Sequence, residues 1–222
     1  NKIQKLTNYF HGRNIKSFKF YQADLAEKSE LDKVILQIKN LERIDVLINN
    51  AGALFLKREV NSKGIEKTFA INYLSHFYLT ISLIDVIKKT KNSRLVNISS
   101  VVHKFAKLNL NDMSFLKNYN GYVAYFNSKL MNLLFSYKID RIYHNYINCY
   151  AINPGWLNTN FGNNNQSNIR FLLDFVRDKF ATKPSYVANK IFNICTNEEY
   201  LNYSGKYLVI NKIAKSSDLS YN

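Results

Sequence analysis

Short apolar runs punctuate this chain, and helical stripes fill the intervals between them. Residues 44–48 (IDVLI), 94–99 (RLVNIS), 147–152 (INCYAI) and 206–210 (KYLVI) are too short for helices and rich in β-branched side chains. Runs of that kind predict strands buried on both faces of a parallel sheet. Residues 17–22 (SFKFYQ) alternate toward a further strand. Between them, Leu31, Val34, Ile35 and Ile38 form a helical stripe within residues 27–41. Residues 64–90 read as a long helical region with a break near Ser75, and residues 121–141, 168–180 and 185–196 as further helices. Residues 103–119 and the Asn-rich stretch 158–168 read as loops. Strands and helices in alternation predict parallel strands joined by right-handed crossovers. The expectation is one doubly wound α/β domain over residues 1–222.

In such a sheet, ligands bind beyond the carboxyl ends of the strands. That rim would hold Asp24, the turn Asn49-Asn50-Ala51-Gly52, Ser99 and Ser100, and Pro154-Gly155. Tyr125 and Lys129 stand one turn apart on a predicted helix, so they share a face. A lysine ammonium beside a phenol favours the phenolate, which predicts a lowered Tyr125 pKa and a group able to move protons near neutral pH. Taken singly the pair is weak. The 16 tyrosines and 24 lysines (31 Lys and Arg, less seven Arg) lead to about two Tyr-x-x-x-Lys pairs by composition alone. Two occur, the other being Tyr186/Lys190, which nothing chemical flanks.

Composition narrows the function further. The formal net charge of +15 raises a nucleic-acid or anionic-membrane surface. No lysine block or RNA-binding signature accompanies it, so the charge reads as a general Lys- and Asn-rich surface and no nucleic-acid partner is expected. No uninterrupted run of some 18 apolar residues is present. Cys149 and Cys195 fit no metal spacing and read as buried, inert thiols. The four histidines show no ligand spacing, so no metal is expected, and His103 reads as a packing residue.

The motifs resemble those of the short-chain dehydrogenase/reductase family, in its retinol-dehydrogenase-like branch. Asn49-Asn50-Ala51-Gly52 is similar to the family's NNAG element, and residues 69–77 (FAINYLSHF) to the helix that follows it. Residues 96–103 (VNISSVVH) resemble VNVSS-x-x-H, and Tyr125-Phe126-Asn127-Ser128-Lys129 matches Tyr-x-x-x-Lys. Pro154 to Thr159 matches PG-x-x-x-T, and Ser204-Gly205-Lys206-Tyr207 matches a closing SGKY.

The resemblance implies a Rossmann-like fold. It also implies a hydride transfer between NADP or NAD, with NADP favoured, and a small hydrophobic alcohol, aldehyde or ketone. Tyr125 would be the acid/base, and Lys129 would tune it and hold the nicotinamide ribose. Ser100, the second serine, would hold the substrate oxygen, and Asn72 would complete a proton relay. Asp24, Leu25, Asn50, Ala51, Gly52, Pro154, Gly155 and Thr159, with Tyr125 and Lys129, would contact the cofactor. Trp156 and residues 161–180 read either as a substrate wall or as an amphipathic core helix.

Two departures stand out. Ser75 replaces the branch's usual Gly, which predicts slightly looser helix packing. No TG-x-x-x-G-x-G loop is present, and Gly12 is the only glycine before Gly52. The expectation is a domain incomplete at its N-terminus, missing the strand–loop–helix–strand unit that cradles a pyrophosphate. With it would go the NAD/NADP determinant and any N-terminal membrane anchor. Oligomeric state is not readable, and the compartment implied is cytoplasmic or endoplasmic-reticulum-associated. The competing reading is a non-catalytic binding or scaffold protein of the same shape.

Overall fold

β2 (Ser93–Ile98) and β3 (Ile147–Asn153) form the centre of a five-stranded sheet. β1 (Val46–Asn49) pairs with β2, and β4 (Lys206–Val209) with β3, all parallel. The strands follow one another in sequence order, and β5 (Lys212–Ile213) closes the sheet as a short antiparallel hairpin partner. This computed structural model describes residues 2–12, 17–155 and 182–221. The expected loop 158–168 and helix 168–180, with Trp156 and Thr159, lie outside those residues.

Every residue of β2 is buried, so its side chains divide between two cores by simple alternation. Leu95 and Cys149 face one side, where Leu31 and Ile35 of α2 (Lys28–Ile38) meet Leu83, Ile84 and Ile87 of α3 (Lys67–Ile87). Phe135 and Ile139 of α4 (Gly121–Tyr143) complete that cluster. Val96, Ile98, Tyr150 and Ile152 face the other side and pack on Ile194 of α5 (Pro184–Thr196) and on Tyr200. Helices therefore cover both faces, as a doubly wound sheet requires. Cys149 is fully buried, which drives its thiol pKa far up and leaves it inert, and Cys195 is partly buried.

Several expectations change. Residues 17–22 form no ladder; a strand needs hydrogen-bonding neighbours, and among the described residues none flanks them. β1 is an edge strand rather than a buried one, and Ile48 is 44% exposed. A short helix, α1 (Lys2–His11), begins the described chain. The hairpin to β5 turns at Ile210, whose φ of 59° lies in the left-handed region.

The predicted break near Ser75 is a π-turn, Ala70–Leu74, set inside α3. The Ser75 hydroxyl donates to the Ile71 carbonyl one turn earlier at 2.6 Å, a back-bond of the kind that bends a helix. α3 has the length and mean hydropathy of a membrane span, but half of its apolar window is buried in the domain. Buried polar positions at Asn72, Ser75, His76 and Thr80 mark it as a core helix.

Candidate active site

The parallel register carries β1, β2 and β3 to one rim, with Asn49 beside Asn97 and Ile98 beside Ile152. Asn49-Asn50-Ala51-Gly52, Ser99-Ser100 and Pro154-Gly155 leave from that rim. Two helix features bring the remaining groups to it. Asn120 caps α4 by accepting the Tyr122 and Val123 amide protons at 3.0 and 3.1 Å. Gly121 then lets α4 approach the segment after the NNAG turn so closely that a β-carbon there would lie 2.2 Å from the Phe55 carbonyl oxygen. The π-turn does the same for α3 by placing Asn72 inward; π-turns recur at functional positions.

Asn72 is fully buried and clamps the chain just past Gly52. Its Oδ1 accepts from the Ala53 amide at 2.8 Å, and its Nδ2 donates to the Ala53 carbonyl at 2.9 Å. Nδ2 also donates to Ser128 Oγ at 3.1 Å, and Ser128 in turn donates to the Tyr125 carbonyl at 2.7 Å. Asn132 donates to the Asn72 carbonyl at 3.0 Å and to the Ile98 carbonyl at 3.4 Å. The same Ile98 carbonyl receives Lys129 Nζ at 3.1 Å. Lys129, though charged, is buried, and its ammonium stands 5.4 Å from the Tyr125 ring centroid. A β-carbon at Gly52 would lie 3.6 Å from both Lys129 Nζ and Asn72 Oδ1. Gly52, Asn72 and Lys129, from three separate segments, therefore meet at one point.

The two serines differ. Ser99 is buried and donates to the Lys129 carbonyl at 2.8 Å, a structural bond. Ser100 is partly exposed, and its hydroxyl oxygen accepts a long bond from the Val102 amide at 3.5 Å. Gly155 has φ +79°, which few L-residues tolerate, and its amide donates to Asn153 Oδ1 at 3.0 Å. Asn50 is exposed and Ala51 half-buried beside Gly52. At the far end, Asp24 is exposed and accepts from the Ala26 amide at 2.8 Å, while Leu25 packs on the core. Among the described residues, no three His, Cys, Asp or Glu side chains converge as a metal site would need.

Burial dominates the electrostatics. It lowers the Lys129 pKa to about 8 and pushes the Tyr125 phenol well above its ordinary value. The expectation that Lys129 holds Tyr125 below that value is thus not met; desolvation of the phenolate outweighs the ammonium. Sequence reasoning also passed over His76. It lies one turn beyond Asn72, is buried, and has a pKa lowered to about 4 by burial first and Lys129 second. Its ring lies near the Asn132 side chain and the Ala51 backbone, short of hydrogen-bond geometry. Glu66 was missed as well. Fully buried, it accepts from the Thr68 and Phe69 amides at 2.8 and 2.7 Å and lies 3.0 Å from the Tyr119 hydroxyl. Its place just before an apolar helix was the available signal.

The second Tyr–Lys pair is instructive. Lys190 also stands 5.4 Å from the Tyr186 ring centroid, yet Tyr186 is half exposed where Lys129 and Asn72 are buried. Spacing alone makes the contact; only the convergence at Gly52 makes a site.

The doubly wound fold is of the dehydrogenase type, and comparison with known proteins agrees. The short chain dehydrogenase family model matches residues 1–170. The chain belongs to the short-chain dehydrogenase family, in its retinol-dehydrogenase-like branch. It is 31% identical to retinol dehydrogenase 13 of Mus musculus over 176 residues, 77% of this chain and 53% of that protein. It is 32% identical to polyprenol dehydrogenase of Homo sapiens over 148 residues, 63% of this chain and 45% of that one. The chain thus spans about half the length of the curated relatives it matches. In fold it is similar to NADPH-bound carbonyl reductase from chicken fatty liver, at a TM-score of 0.65 and 18% identity, covering 96% of this chain and 81% of the other. Carbonyl reductase Sniffer of D. melanogaster gives a TM-score of 0.67 at 17% identity, with 97% and 85% covered.

Proposed function

We propose that this chain carries the catalytic portion of an NAD(P)-dependent oxidoreductase that interconverts a hydrophobic alcohol and its aldehyde or ketone. The observation that carries this reading is the meeting of Gly52, Asn72 and Lys129, with Tyr125 one turn from Lys129 on the same helix. Names of relatives point the same way: two are a retinol and a polyprenol dehydrogenase, and the chicken neighbour is an NADPH-bound carbonyl reductase.

The donor set fits the nicotinamide end of a dinucleotide. The side-chain-free edge at Gly52 lets a ribose approach backbone closely, and Lys129 would hold it. Ala51, Asn50, Pro154 and Gly155 would border the same end, with Asp24 and Leu25 toward the adenine and Thr159 beyond Gly155. When bound, the nicotinamide supplies or accepts the hydride. Tyr125 would hold or release the proton on the substrate oxygen, and the Ser100 hydroxyl would fix that oxygen. Lys129, with a pKa near 8, would exchange protons with little driving force near neutral pH. Asn72 would keep the NNAG turn and α4 in register. NADP is the favoured dinucleotide.

The test uses the protein with its complete coding sequence, NADPH and NADH, and a panel of apolar carbonyls and alcohols. Turnover that falls about a thousandfold in Tyr125→Phe, with dinucleotide affinity kept, supports the assignment. Turnover surviving that change removes Tyr125 as the acid. Dinucleotide binding with no turnover by the unsubstituted protein on any member of the panel favours the scaffold reading.

A further inference from the structure

His103 sits three residues past Ser100, on the short 3₁₀ turn Val101–Phe105, and is 1% exposed. Both of its ring nitrogens are engaged, and by partners that leave no choice of tautomer. Nδ1 lies 2.6 Å from the Ser100 carbonyl oxygen, which can only accept, so Nδ1 carries the proton. Nε2 lies 3.0 Å from the Ser217 amide, which can only donate, so Nε2 is bare. The ring packs edge-on against Tyr207 of β4 at 5.0 Å.

Ser217 is itself held. Ser216 and Ser220 share a hydroxyl bond of 2.7 Å, and Ser216 Oγ lies 2.9 Å from the Tyr137 hydroxyl of α4. The Ser216 amide donates to the Tyr221 hydroxyl at 3.4 Å. Residues 216–221 are thereby fastened to the helix that carries Tyr125 and Lys129, and through His103 to the backbone of Ser100. This segment lies beyond the residues the family model matches.

We infer that His103 is a positioning residue for Ser100, fixed as its Nδ1–H tautomer by the C-terminal Ser217 amide. The inference rests on the role given to Ser100 under the proposed function. The Ser100 carbonyl receives both the His103 amide, at 3.2 Å, and the His103 ring. Two donors on one carbonyl pin the peptide that follows Ser100, and with it the direction of the hydroxyl. Protonating Nε2 would set an N–H against the Ser217 N–H and release the segment. Burial first, and Lys104 on the same turn, lower the ring pKa, against the opposing pull of the Ser100 carbonyl bond. The titratable group packed on the ring is the Tyr207 phenol; the Tyr137 and Tyr221 hydroxyls bond Ser216, next to Ser217, and the exposed Lys215–Asp218 ion pair flanks that segment in sequence, closed at 3.1 Å.

The test combines two readouts on the full chain. ¹⁵N resonances of the His103 ring at pH 7 are expected to report Nδ1 protonated and Nε2 bare. The opposite tautomer, or a charged ring, overturns the inference whether or not the protein turns over. In kinetics, Asn at position 103 reaches the Nδ1 position and Gln the Nε2 position. His103→Asn is expected to keep kcat within about twofold and His103→Gln to lose about tenfold, with dinucleotide affinity unchanged in both. Equal losses in both variants mean a packing role only and overturn it. Ser217→Pro removes the amide donor at a φ of −70° that proline accepts. It should move the acid limb of the kcat profile upward, toward pH 6.5. An unmoved limb overturns the coupling. Absence of turnover in the unsubstituted protein counts against the redox reading and leaves the ring tautomer to decide the clamp.

Discussion

Lys129 Nζ donates to the Ile98 carbonyl at 3.1 Å while standing 5.4 Å from the Tyr125 ring centroid. One side chain thus joins the end of β2 to the proposed acid. Its burial depresses its pKa from 10.5 to about 8. Between those values the unfolded chain binds more protons than the folded one, so stability rises with pH from about 8 to 10.5. Below pH 8 the cost of burying the charge is fully present. Lys129→Met is expected to raise stability at pH 7, to flatten that rise in denaturant titrations, and to lower kcat about a thousandfold.

His76 gives the matching acid window. Its folded pKa of about 4 lies below the ordinary 6.5. As pH falls through that interval the unfolded chain takes up a proton that the folded one refuses, so stability drops by a few kcal/mol between pH 6.5 and 4. Urea midpoints measured across this range should fall in the wild type and much less in His76→Asn.

Two glycines separate structural from functional need. Gly121→Ala sets a methyl 2.2 Å from the Phe55 carbonyl oxygen and is expected to cost about 2 kcal/mol or more. Gly52→Ala meets nothing nearer than 3.6 Å, so stability should change by less than about 1 kcal/mol. Its methyl would occupy the edge assigned to the ribose, and dinucleotide affinity is expected to fall about tenfold. Thermal melts and fluorescence titration of the two variants decide the contrast.

Asn72→Ala removes both bonds to Ala53 and the bond to Ser128. The two Ala53 backbone groups lose their partner, which predicts a loss of about 2–3 kcal/mol. Asn72→Asp keeps the acceptor but turns an oxygen toward the Ala53 carbonyl. It should be no better in chemical denaturation.

The ordered motifs made the family and the sheet legible. Short β-branched runs marked β1 to β4, and the residues closing them marked the rim. What stayed hidden depended on contacts between distant segments. Residues 17–22 have strand-like alternation but no ladder, which alternation cannot reveal. Ile48 has the composition of a buried strand, and only the topology puts it on an edge. Tyr125 and Lys129 were found by spacing, but the sign of the Tyr125 shift follows from burial. The link from His103 to Ser217 crosses 114 positions, and in sequence it is a histidine near a serine and nothing more.

The π-turn has a consequence in residue counting. α3 fits 21 residues between Lys67 and Ile87 with one looser loop at Ala70–Leu74. Ordinary winding would need one residue fewer to span the same rise, and each residue turns a helix by about 100°. A single deletion inside that loop would therefore swing Asn72 off Ala53 while every residue type stayed the same. Length here is as much an inherited constraint as chemistry, and an alignment gap at this spot would be the mark of a chain that has given up its rim amide.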